Sequence, residues 1–297
     1  MPRPFACPSP HSSGNPPAAP GDLPPPKEVA HARSAQHDAA SRTVTPRWPE
    51  RLWIVRHGQS AGNVARDAAL AAGLDRIALS ARDVDVPLSA LGAEQARGLG
   101  DWFATLPEGE RPDVVFASPY LRAVHTARLI RDAGGLQGDE PICIDERLRE
   151  KEFGILDGLT TAGIRNLLPE QAEFRHLLGK FYHRPPGGES WCDVILRLRS
   201  VLDTIALHHA GQRVLIVAHQ VVVLCLRYIL ERMEEADILA VDAQGDVANC
   251  SVTEYALEAT AVQGGRLALV RYNYLAPVER SGTPVTEEAD QPKGIRG

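Results

Sequence analysis

Leu52-Trp53-Ile54-Val55-Arg56-His57-Gly58 is an unbroken apolar run that ends in a cation, an imidazole and a glycine. Consecutive apolar residues without alternation read as a strand buried on both faces, and helices flanking a largely parallel sheet provide that cover. The polar residues that follow then fall where such a sheet opens to solvent. Working outward, the pattern recurs. Residues 113–117 and 214–218 are further buried strands, 141–148 is a short one, and 251–257 and 267–275 are two more, separated by Gly264-Gly265. Residues 91–106 behind Ser89, 120–132 behind Ser118-Pro119, 191–207 and 221–230 carry apolar side chains at helical spacing. Strands alternating with helices predict an α/β protein, a three-layer α/β/α sandwich around a mostly parallel central sheet.

Composition limits what such a domain can meet. The chain has 297 residues, 44% of them hydrophobic, which is enough for one sizeable core. A net charge of −6 and a pI near 5.9 leave no basic field, which argues against nucleic acid and anionic membrane surfaces as partners. The longest apolar run, residues 214–226, is interrupted by His219 and Gln220, too short and too polar to span a bilayer. Five scattered cysteines in no ligand spacing and of odd number fit a reducing, cytoplasmic setting and offer no metal site. Twelve of the 23 prolines fall in the first 50 residues, so residues 1–48 read as a disordered Pro-rich arm. Residues 49–276 are then the domain, and residues 277–297, again rich in Pro, Gly and charge, a flexible tail. No residue pattern sets the oligomeric state, and a homodimer stays open.

Ligands of open α/β sheets bind beyond the carboxyl ends of the strands. Three predicted strand ends carry related chemistry. The first supplies Arg56, His57, Gly58, Ser60 and Asn63, the second leads past Ser118-Pro119 to Arg122, and the third ends at His219-Gln220. Two guanidinium groups and two imidazoles converging on one spot suit a phosphoryl group, whose oxygens match the planar guanidinium fork.

The ordered motifs resemble the histidine phosphatase superfamily in its phosphoglycerate-mutase-like branch. They are Arg56-His57-Gly58-x-Ser60-x-x-Asn63, Asp85-x-Pro87-Leu88-Ser89-x-x-Gly92-x-x-Gln95-Ala96, Ser118-Pro119-x-x-Arg122-Ala123-x-x-Thr126-Ala127, Leu148-x-Glu150, Pro186-Gly187-Gly188-Glu189-Ser190 and Ala218-His219. They span roughly residues 50–275. The resemblance implies that His57 is the nucleophile that takes the phosphoryl group, and neighbouring cations favour its neutral form. Arg56, Arg122 and His219 would hold the equatorial oxygens, with Asn63, Ser60 and Gly58 beside them. Glu150 would be the proton donor and then the base for water; Glu152 competes for the role, but the spacing from Leu148 favours Glu150. No cofactor is implied.

Three positions depart from the family's pattern: Gln220 stands where glycine is common, Asp157-Gly158 where Glu-Gly is frequent, and Lys151 where some members carry arginine. Lys151 and Gln220 are candidate substrate contacts. The segment between Glu150 and His219, which covers the site in this family, is shorter than in the cofactor-dependent glycolytic mutases. A small lid admits water, which favours hydrolysis of a small phosphorylated metabolite over phosphoryl return to a second hydroxyl. A primer-dependent mutase and a non-catalytic phosphate-binding module are the alternatives. Arg165, Arg175, Lys180 and Arg184 in the lid are candidates for a second anionic group or are solvated charges; His125, His176, His183, His208 and His209 read as surface or packing residues.

Overall fold

The computed structural model describes residues 47–136, 141–258 and 264–287, all within one compact unit. Its strands are β1 (Arg51–Arg56), β2 (Val114–Ala117), β3 (Cys143–Ile144), β4 (Arg213–Ala218), β5 (Val252–Glu258) and β6 (Arg266–Tyr274). They form one sheet in the order β3-β2-β4-β1-β5-β6. The pairs β2–β3, β2–β4 and β1–β4 are parallel, while β1–β5 and β5–β6 are antiparallel.

Each buried strand feeds two cores, because successive side chains point to opposite faces. From β1, Leu52 and Ile54 join one cluster and Trp53 and Val55 the other. The first cluster is closed by α6 (Trp191–His208), α7 (Gln220–Glu231) and Ile238 of α8 (Glu235–Gln244). The second is closed by α2 (Ala90–Ala104), α3 (Leu121–Gly134) and Val278 of α9 (Ala276–Arg280). These are the three layers that the apolar runs predicted. Every side chain from Val221 to Leu226 is buried, each worth about 1.5–3 kcal/mol relative to exposure for the larger aliphatics.

Three features lie outside the sequence expectations. Helix α1 (Ala61–Ala71) begins inside the Arg-His-Gly motif, capped reciprocally by Ser60 and Asn63. The strand expected over residues 141–148 shrinks to the two residues of β3, because Asp145 accepts the Arg147 amide and turns the chain into the 3₁₀ turn Glu146–Leu148. The segment expected to form the lid is helical, α4 (Thr161–Leu167) and α5 (Pro169–Tyr182), and its glycine at 179 has φ +74°, which breaks α5 near its end.

The tail expectation needs correction over residues 277–287. Val278 is fully buried, Gln95 Nε2 donates to the Pro284 carbonyl, and Thr286 Oγ1 donates to Asn249. Composition alone hid these anchors. Residues 288–297, and residues 1–46 of the expected arm, lie outside the described residues; Arg47 donates its amide to the Gly264 carbonyl, and Trp48 packs on the core.

Candidate active site

Strand register builds the centre of the site. Arg56 pairs with Ala218 in the parallel β1–β4 ladder, so His57 and His219 leave adjacent strand ends side by side, with ring centroids 5.1 Å apart. The His57 amide continues the ladder onto the Ala218 carbonyl at 2.9 Å. Ser118 ends the neighbouring β2, where its amide donates to the Val217 carbonyl at 3.0 Å, and its hydroxyl lies 2.7 Å from His219 Nε2. Three strand ends thus converge, as the sequence placed them.

The His57 tautomer follows from its partners. Nδ1 lies 2.7 Å from the Gly58 carbonyl, which can only accept, so Nδ1 carries the hydrogen. Nε2 therefore holds the lone pair, and Arg122 Nε donates to it at 3.3 Å. The backbone of this turn is fixed from three sides. Asn249 Nδ2 donates to the His57 carbonyl at 2.9 Å, and the Gly58 amide donates to Thr126 Oγ1 at 3.1 Å. On the third side, a Cβ at Gly58 would stand 2.3 Å from the Gly92 carbonyl oxygen, so the start of α2 presses directly on this loop. Asn249 and Thr126 were not read as site residues; Thr126 lies one turn beyond Arg122, which was the available signal, whereas Asn249 had none.

The cations are buried. Arg56 has no exposed surface and donates from Nη1 to the Val247 carbonyl. Arg122, in the first turn of α3, lies with its guanidinium 4.8 Å from the Tyr120 ring centroid. The Tyr120 ring also packs on His219, centroids 5.1 Å apart, and its hydroxyl donates to Glu152 at 3.0 Å. The amino-terminus of α7 follows His219 directly and adds its positive dipole end.

Of the neutral candidates, Ser60 and Asn63 serve the α1 cap: Asn63 Oδ1 accepts from the Ser60 amide and hydroxyl at 2.9 and 2.8 Å. Gln220 donates to Asp246 at 2.9 Å.

Glu150 is 1% exposed, and its Oε1 accepts the Lys151 amide at 2.7 Å. Its segment hangs on Glu189, which accepts from Arg149 at 2.7 Å, Arg197 at 2.9 Å and the Glu152 amide at 3.1 Å. Glu189 therefore fixes the backbone around Glu150, and Ser190 caps α6. Glu152, half-exposed and engaged by Tyr120, is the less protected carboxylate.

Beyond Glu150 lies a second cationic zone. Lys151 is buried with its ammonium 4.7 Å from the Phe153 ring, and burial followed by the Arg175 charge pushes its pKa down to about 8. Burial also lowers Arg175. His183, 4% exposed, is pushed down to about 4 by burial and then by Arg175 and Lys151, and its Nε2 has no hydrogen-bond partner among the described residues. The sequence reads His183 as a surface or packing residue; the fold buries it beside these cations. Of the other lid cations, Lys180 pairs with Asp242 at 2.7 Å, Arg184 is exposed and pairs with Asp193, and Arg165 is exposed. Of the four, Arg175 and Lys180 both act electrostatically on Lys151, Arg175 the more strongly.

Among the described residues no helix is long and apolar enough to cross a membrane. Residues 52–273 match the histidine phosphatase superfamily (branch 1). The chain is 34% identical over 194 residues to a 2,3-bisphosphoglycerate-dependent phosphoglycerate mutase of Rhizobium rhizogenes, covering 64% of this chain and 84% of that protein. It is 32% identical over 186 residues to a 6-phosphofructo-2-kinase/fructose-2,6-bisphosphatase of Caenorhabditis elegans, covering 62% of this chain and 35% of that protein. Among solved structures it is similar to a mycobacterial glucosyl-3-phosphoglycerate phosphatase complexed with VO3, with a TM-score of 0.58 and 26% identity, covering 76% of this chain and 99% of that one. The chain belongs to the histidine phosphatase superfamily.

Proposed function

We propose that this member of the histidine phosphatase superfamily hydrolyses a small phosphomonoester through a phosphohistidine on His57, and that its substrate carries a second anionic group. The observation that carries the reading is the orientation of His57: Nδ1 is fixed by the Gly58 carbonyl, and Nε2 presents its lone pair beside Arg122. Nε2 attacks phosphorus, the ester P–O bond breaks, and Glu150 gives its proton to the departing alkoxide. Water then attacks phosphohistidine and loses a proton to Glu150, and the P–N bond breaks to release inorganic phosphate. Arg56, Arg122 and His219 stabilise the equatorial oxygens during both transfers. Burial keeps Glu150 away from bulk water.

The second anion follows from Lys151, Arg175 and His183. A buried cation, a partly buried one and a neutral imidazole with an unsatisfied nitrogen suit a carboxylate or a second phosphate. A phosphoglycerate-type mutase is the second reading, favoured by the similarity to bisphosphoglycerate-dependent relatives. The two readings separate on phosphate release from a panel of small phosphomonoesters, including 3-phosphoglycerate, with and without a bisphosphate primer. Hydrolysis predicts release without primer; isomerisation that needs primer and yields no phosphate would replace it with the mutase.

A further inference from the structure

The guanidinium expected to receive the phosphoryl group already holds a carboxylate. Arg122 Nη1 donates to Asp83 Oδ1 at 3.0 Å and Nη2 to Asp83 Oδ2 at 3.2 Å, a two-point fork, while Nη1 also meets the Asp83 carbonyl at 2.7 Å. A carboxylate edge and a phosphoryl edge offer a guanidinium the same pair of oxygens, so the two compete for it. The partners differ in how firmly they are held. Arg122 is buried, stacked on Tyr120 and bonded to His57. Asp83 is 37% exposed and sits on a 3₁₀ turn reached through the exposed residues 78–82, with its first buried anchor at Val86.

We infer that Asp83 is an internal competitor for the phosphoryl site: the substrate's phosphoryl group displaces its carboxylate from Arg122 on binding, and the carboxylate returns to expel inorganic phosphate. This rests on the reading of Arg122 as a phosphoryl-binding residue. No bond is made or broken in the exchange; one anion replaces another on a fixed cation. The apparent affinity for any phosphate group is then reduced by the fraction of molecules in which Asp83 is withdrawn. A carboxylate here makes the site hold its product loosely, which suits an enzyme that must empty after each turnover. Asp85, two residues on, pairs with Arg82 and provides a control carboxylate on the same turn.

The test is calorimetric titration of inorganic phosphate onto the whole protein and onto Asp83→Asn, Asp83→Ala and Asp85→Asn. Both Asp83 variants should bind phosphate about fivefold more tightly than wild type, the scale of a partly exposed ion pair, while Asp85→Asn stays within about twofold. Melting temperatures identify any variant that fails to fold, and the other Asp83 variant then carries the result. Phosphate binding by wild type with unchanged or weaker affinity in both Asp83 variants would overturn the inference and leave the Arg122 reading intact. A wild-type protein that binds no phosphate would overturn both. The titration needs no turnover, so it reads the same whether the enzyme is a hydrolase or a mutase.

Discussion

The two ends of the site are built differently. At the end proposed to bind phosphate, His57, His219 and Ser118 leave three adjacent strands whose register fixes them relative to one another. At the lid end, Lys151, Arg175 and His183 come from a loop, the middle of α5 and the residue after its end, with no ladder between them. The first arrangement follows from backbone hydrogen bonds, the second from side-chain burial. On the proposed function, chemistry sits on rigid elements and substrate choice on segments that vary cheaply.

That division is breakable by mutation. On the proposed mechanism, Glu150→Gln should slow turnover of alkyl phosphates by about 10²–10⁴ while sparing aryl phosphates whose leaving groups need no proton. Equal loss on both, read from kcat, would remove Glu150 from the acid role. A smaller effect is expected at the lid: Arg175→Ala should raise KM about tenfold for phosphoesters bearing a carboxylate or second phosphate. It should leave simple aryl phosphates unchanged, and equal damage to both classes would mean that the two ends are not separable. The smallest effect is in pH. Lys151 is a cation below about 8 and neutral above it, so KM for the doubly anionic substrate should climb between pH 7 and 9, by about threefold to fivefold. Lys151→Met should start high and show no such climb.

The same division governed what the sequence disclosed. A four-residue apolar run ending in Arg56-His57 places its histidine at a strand end, because burial on both faces leaves little alternative. The lid resisted reading because α5 turns Arg175 and Lys180 inward and exposes Phe174, Leu177 and Leu178, the reverse of an ordinary amphipathic helix. Helix α1 was hidden because Ser60 and Asn63, which the motif offers as phosphate contacts, form its cap. Asp83 was invisible for another reason: a charged residue on a short turn behind an exposed loop looks solvated until Arg122 is placed beside it. The packed segment around Val278 was masked by Pro and Gly composition, which says nothing of the groove it fills.

The most direct test of the central claim is to trap the phosphoenzyme. Wild type and His57→Ala are mixed with a radiolabelled phosphomonoester, quenched in alkali, where phosphohistidine survives, and digested for peptide mapping. Label on the peptide containing His57 in wild type, with neither label nor turnover in His57→Ala, is the predicted result. Turnover that persists in His57→Ala, or label on another residue, would contradict it.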